Sequence, residues 1–255
     1  MEIKITSLDI NAFISFISKL TSVDKTVYLK INGDSLISSV YLPDRDAVKL
    51  QQINYEEIMS FKKKPESEIK ISFFNGSRIT DALKNFGPVD SSEVTGVIEC
   101  AEYDNEIIAT SLKISTPDLS IKLACSDPVL GFMDLTGEQI KSIFSKNELQ
   151  YEFDFQTFNQ GKVNSLFSMD KDSETFLLVY ESGSVRIKSA DDLYNVKISE
   201  NAENIKTEYS ESLLYKKYLG LLDKESYTVS VCTNKLIFKS NDSNTLLTIS
   251  VCSNE

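Results

Sequence analysis

Seven basic side chains fall on stretches with helical spacing: Lys19 within 8–20, Arg78 and Lys84 within 77–86, Lys162 within 159–169, and Lys216, Lys217 and Lys224 within 213–224. Ammonium and guanidinium groups on the outer side of a helix suit one task well, neutralising phosphate oxygens without reading bases. Taken singly, each is an ordinary solvated residue. Together they stand out because the chain is acidic, with 27 Lys and Arg against 38 Asp and Glu and a net charge of −11. A cationic surface on a negative protein would restrict contact with a polyanion to that surface. A further run, Lys62-Lys63-Lys64 before Pro65, reads as a solvated loop.

Other chemistry finds little support. The chain contains no histidine, which removes the commonest general base and every Ser-His-Asp or Cys-His arrangement. The cysteines at 100, 125, 232 and 252 form no C-x-x-C pair, so a zinc site is not expected, and they read as small buried hydrophobes of a reduced protein. The glycines form no phosphate-binding loop. The acidic pairs Asp44/Asp46, Asp170/Asp172 and Asp191/Asp192 fall in polar stretches; a carboxylate pair can hold magnesium, but an acidic turn accounts for each. No catalytic constellation, metal or cofactor is expected. No apolar run reaches the length of a membrane span, and the N-terminus lacks a signal-peptide pattern. The expectation is a cytoplasmic protein, in the host cell cytoplasm if viral.

The elements that must carry the lysines appear twice. Thr26–Ser39 and Phe176–Ser189 each alternate, turn on Gly33 or Gly183, and alternate again. They align without gaps at an offset of 150 and read as β-hairpins. Before each comes a strand and then a helix. The first helix is apolar at 10, 13, 14, 17 and 20, with Ser7 or Asp9 as N-cap; the second has Val163, Leu166 and Phe167 on one side. After each hairpin come further strands, 47–53 and 68–73 against 193–199 and 204–209. A second helix follows, 77–86 against 213–224, and closing strands end each half. In the last helix Leu214, Tyr218, Leu221 and Leu222 would anchor to a sheet, leaving Gly220 costly in mid-helix. The fold class is α+β, two similar domains (1–126 and 149–255), each with antiparallel sheets and two helices on one face. A connector, 127–148, carries a short helix with Thr136 as N-cap.

This order resembles the DNA sliding clamps, the polymerase processivity factors, as in PCNA and more closely the clamps of T-even-like tailed phages. The two hairpins, the connector with 134–145 and the stretch from Leu213 to Ile249 carry the resemblance. It implies a head-to-tail homotrimeric ring in which strands near 118–124 and 193–198 of neighbouring copies pair. Helices would line a hole around double-stranded DNA, with Lys19, Arg78, Lys84, Lys162, Lys216, Lys217 and Lys224 facing it. The implied partners are a replicative DNA polymerase, a clamp loader ATPase and transcription factors, with no catalysis by the clamp. Partner peptides would enter a pocket beneath the connector, at Leu42, Leu130, Phe132 and Met133. A second reading treats the duplication as architectural only, in an acidic β-rich structural or interaction protein with no DNA role.

Overall fold

The computed structural model describes every residue except 43, 45, 129–133, 147–150, 190, 242–243 and 254–255, and leaves undescribed the side chains of 157, 159, 160, 252 and 253. The chain divides into two compact units, 1–42 with 50–134, and 43–49 with 135–255.

In the first unit the order is β1 (Glu2–Leu8), α1 (Ile10–Thr21), β2 (Val27–Asn32), β3 (Ser35–Tyr41), β4 (Ala47–Asn54), β5 (Met59–Phe61), β6 (Ile69–Phe73), α2 (Gly76–Lys84), β7 (Thr95–Tyr103), β8 (Glu106–Ser115) and β9 (Ser120–Ala124). The first three residues of β4 belong to the second unit. The strands lie in the order β4-β3-β2-β6-β8-β7-β1-β5, with β9 paired to β8. β3, β2 and β6 run antiparallel to their neighbours in turn, as do β9, β8, β7, β1 and β5, while β6 and β8 pair in parallel at Ile69 and Ile107. Asp9 caps α1, its carboxylate accepting from the Ala12 amide at 2.9 Å. This helix buries Ile10, Phe13, Phe16, Ile17 and Leu20. Phe16 replaces Ile14 in the expected stripe because the buried sector centres one position further round. Asn75 caps α2, which buries Ile79 and Leu83. Gly76 opens that helix where it meets α1: a Cβ there would lie 2.5 Å from the methyls of both Thr21 and Val27. Only a glycine permits so close an approach.

The second unit begins after β9 with α3 (Gly137–Phe144), capped by Thr136 in a reciprocal box with Gln139. It continues with β10 (Tyr151–Asn159), α4 (Gln160–Met169), β11 (Thr175–Glu181), β12 (Ser184–Ser189), β13 (Asn195–Ser199), β14 (Ala202–Glu203), β15 (Tyr209–Tyr215), α5 (Lys216–Leu219), β16 (Ser226–Cys232), β17 (Lys235–Ser240), β18 (Thr245–Ser250) and β19 (Cys252–Ser253). Its strands form two runs, β14-β10-β16-β17-β18 and β13-β12-β11-β15-β19. Val163 and Leu166 of α4 are buried, and Phe167 packs against Phe176 with ring centroids 5.0 Å apart and planes inclined by 37°.

The duplication is therefore real in topology. β1 lies between β5 and β7, and β10 between β14 and β16; β2 lies between β3 and β6, and β11 between β12 and β15. Cys100 and Cys232 are buried on the equivalent strands β7 and β16, and burial pushes both thiols up.

Three details differ from the sequence expectation. The hairpins correspond at an offset of 149, with Asn32 paired to Ser35 and Glu181 paired to Ser184. The turns are Gly33-Asp34 and Ser182-Gly183, so Gly33 and Gly183 occupy different turn positions. Gly183 and Ser182 both take positive φ, 83° and 51°, as a tight primed turn requires. Residues 204–208 are not a strand; the strand is β15, further on. Consequently the expected helix 213–224 is mostly something else. Leu213 and Leu214 belong to β15, α5 is a single turn, and Gly220 caps its end.

The physical cause of that short helix lies 170 residues away in sequence. Lys49 is fully buried, and its ammonium bonds the Leu221 carbonyl at 3.1 Å and the Asp223 carboxylate at 3.0 Å. A buried cation requires such partners. After Gly220 the chain turns inward to supply them, burying Leu221 and Leu222 on the way. The four anchor residues read from sequence, Leu214, Tyr218, Leu221 and Leu222, are all buried. They reach the interior from a strand, a single helical turn and a bend.

Candidate nucleic-acid interface

In the first unit the basic side chains sit on α1 and α2, which pack against each other. Lys19 lies in the last turn of α1 and is half-buried; Arg78 lies in the first turn of α2 and is exposed. Each is two residues from the contact between Thr21 and Gly76, so both side chains project from the far sides of their helices at that contact. Lys84 is at the other end of α2 and pairs with Asp81 at 2.9 Å. That exposed pair is worth little, but it offsets the charge offered outward. Arg78 makes no ion pair among the described residues.

In the second unit Lys162 is exposed on α4, its ammonium 3.4 Å from the Lys197 carbonyl. Lys216 turns back onto its own unit, bonding the carbonyls of Asp170 and Lys171 at 3.1 and 3.3 Å and lying 5.4 Å from the Phe167 ring centre. Lys217 is exposed but meets Asp44 at 3.0 Å. That hydrogen bond holds the Asp44 carboxyl below the usual range. Beside it the Tyr218 hydroxyl donates to Asp46 at 2.7 Å. Asp44 and Asp46 thus act as acceptors for the α5 turn. Nothing local in the sequence signals the pairing, because the partners are over 170 positions apart. Lys224, expected on the same helix face as Lys216 and Lys217, lies in the loop beyond α5 because of the inward turn at Leu221. It is exposed and makes no ion pair among the described residues.

Around the connector, Leu42 is half-buried, and Leu130, Phe132 and Met133 lie outside the described residues. Flanking them, Pro128 and Leu135 are buried. Asp134 carries a network the sequence reading missed. Its two carboxylate oxygens contact Lys30 at 2.5 Å and Lys70 at 2.9 Å, and Lys70 also meets Glu106 at 2.6 Å. Lys30 and Lys70 are direct partners across β2 and β6, and their side chains are only 13% and 12% exposed. Like charges directly opposite in a sheet repel; Asp134 is the counter-ion between them. Burial alone would raise the Asp134 carboxyl, but hydrogen bonds from Lys30 and Lys70 outweigh it and hold it low. Burial, then the charge of Asp134, push the Tyr28 phenol up. A lysine in the middle of each apolar strand, as in VYLKI and EIKIS, was the available signal.

Five strands have a neighbour on one side only among the described residues, β5, β9, β13, β14 and β19. β9 pairs only with β8, and β13 only with β12. Among the same residues no group of three potential metal ligands comes together, and no helix is long and apolar enough to cross a membrane.

Neither a protein-family model nor a curated protein matches the sequence. Solved structures do. The chain is similar to PCNA from Thermococcus kodakaraensis, with a TM-score of 0.66 at 15% identity over 99% of both chains. It is similar to A. fulgidus PCNA bound to the C-terminal region of FEN-1, with a TM-score of 0.65 at 14% identity over 99% of this chain and 98% of that one. The chain has the sliding-clamp fold. A Helicobacter pylori beta clamp bound to a DNA ligase peptide matches all of this chain with 67% of its own length, at a TM-score of 0.62 and 12% identity. The clamp fold is thus matched end to end by PCNA, whereas the beta clamp is half as long again.

Proposed function

We propose that this protein is a DNA sliding clamp, a non-catalytic ring that encircles duplex DNA and tethers a replicative polymerase. The observation that carries the reading is the full-length likeness to two-domain clamps, with the strand–helix repeat present in both units. The free edges of β9 and β13 support a closed assembly in which these strands pair between copies. A heterologous contact of that kind gives a ring when its rotation closes, and three copies of two domains is the proposed closure. The proposed domains are 1–126 and 149–255, joined by a connector at 127–148.

Arg78, Lys162 and Lys224 are the exposed cations best placed to meet phosphates, with Lys19 and Lys84 beside them. Contacts of this kind are screened over roughly 8–10 Å at physiological salt, so they allow sliding. Lys217 takes part once Asp44 is displaced, and Lys216 contributes to the turn instead. The FEN-1 and DNA ligase peptides bound to the similar clamps support partner binding by short peptides here too. Leu42, Leu130, Phe132 and Met133 are the proposed contacts, and a polymerase, a loader ATPase and transcription factors the proposed partners. A phage setting, in the host cytoplasm, fits the sequence resemblance.

Native mass spectrometry across a concentration series, with polymerase processivity assays on primed circular DNA, tests the reading. A trimer and longer products are expected. A monomer at every concentration, with no stimulation of a cognate polymerase, overturns it.

A further inference from the structure

The segment 62–68 crosses from β5 to β6, and the strand order puts β1, β7 and β8 between them. At a strand spacing of about 4.8 Å the crossing spans roughly 19 Å, and seven residues reach at most about 25 Å. The crossing chain therefore bridges the gap without being fully extended. One end is fastened by the Lys62 amide, which donates to the Lys4 carbonyl at 2.8 Å. Between this strap and the start of β1 lies a cavity of about 500 Å³. That volume is within the range of ligand pockets.

Its lining has two characters. Ile3, Pro65, Ile69 and Ile107 supply an apolar part, while Lys4, Lys62, Lys63 and Lys64 supply cations, all four exposed. Glu2 and Glu66 also line it, so the lining remains net positive on a chain of net charge −11. Lys63 and Lys64 have partners in Glu66 and Asp34. Lys4 and Lys62 make no ion pair among the described residues. The backbone adds a third feature: Glu2 and Ile3 pair with β7 on one side, while on the other the last bond is from the Lys62 amide to the Lys4 carbonyl, which leaves the edge at Glu2. An extended chain could hydrogen-bond along that edge, as in strand addition.

We propose that this strap pocket binds an extended acidic peptide that places one aliphatic side chain against the half-buried Ile3 and Ile107. Its carboxylates meet Lys4 and Lys62. Peptide is favoured over single-stranded nucleic acid because no aromatic side chain lines the cavity for bases to stack on. None of its lining residues is among those proposed above to meet DNA or the connector peptide.

Fluorescence anisotropy with the full chain and a labelled peptide of Asp and Glu around one central Leu tests this. Saturable binding is expected at low salt, weakening as salt rises. The Lys4→Ala/Lys62→Ala double variant should bind about tenfold more weakly. Replacing the peptide leucine by serine should weaken it by a comparable factor, about tenfold. Both lysines are exposed, so the variant keeps its circular dichroism spectrum. The proposal is overturned by absence of binding at about 1 mM peptide, by equal affinity for the double variant or the serine peptide, or by an oligothymidylate that binds the pocket more tightly than the peptide.

Discussion

Asparagine in place of Asp134 keeps the shape of the Lys30–Asp134–Lys70 bridge and removes its charge. The structure sets the size of the effect. Two unit charges about 4 Å apart interact by roughly 4 kcal/mol at an effective dielectric of 20, but much of this is cancelled by the desolvation of all three groups. Removing one partner of a fully buried pair costs about 3–5 kcal/mol, whereas an exposed pair contributes about 0.2–1. Asp134 is 37% exposed, against 13% and 12% for its lysines, and Glu106 stays on Lys70. Discounting for that exposure, Asp134→Asn should cost about 2 kcal/mol at neutral pH. Urea unfolding of wild type and variant, followed by circular dichroism, reads the difference. A double-mutant cycle with Lys30→Met isolates the pair, because the methionine removes the repulsion that Asp134 relieves. The sign of the pH dependence follows from the depressed carboxyl. A carboxylate held below its unfolded value of about 3.9 stabilises fully above that pH. It loses the contribution as pH falls through the folded value. The gap between wild type and variant should therefore be widest at neutral pH and narrow in acid. A difference under about 0.5 kcal/mol at pH 7, or one that does not shrink in acid, would refute the account of Asp134 as counter-ion.

Gly76→Ala should lower stability by about 1–3 kcal/mol, the usual cost of overpacking, since its Cβ would stand 2.5 Å from Thr21 and Val27. Gly137→Ala, in the first turn of α3 with open space around it, should not lower the melting temperature in the same scan and should raise it slightly. Asp223→Ala should cost about 3 kcal/mol by leaving Lys49 buried with a weakened shell; a variant that melts with wild type would show that Lys49 finds another acceptor.

What the sequence made legible was local and periodic. Asp9 and Thr136 as caps, the buried stripes of α1 and α4, and the two hairpins are all decided by residues within a turn or two of one another. The sliding-clamp order followed from the repeat. What escaped was set by distant partners. Tyr218, Leu221 and Leu222 kept a helix-like spacing, yet the chain bends at Gly220 because Lys49 needs the Leu221 carbonyl and the Asp223 carboxylate. Lys217 looked free until Asp44 came alongside it. The offset of 150 was one residue too long because Ser182 takes the left-handed conformation that Gly33 takes in the first hairpin. Such a substitution is invisible to pattern matching on glycine.

The Lys49–Asp223 bond also bears on how such a chain could have arisen or be cut. Lys49 belongs by sequence to the first repeat and by packing to the second unit, where the Asp46 carbonyl also accepts from the Ser250 amide at 2.7 Å. A gene split between the repeats would give a second product whose Asp223 has lost its cation and whose β18 has lost a neighbour. The duplicated halves are thus not interchangeable modules: the second unit is complete only with a strand and a buried cation that the first repeat encodes.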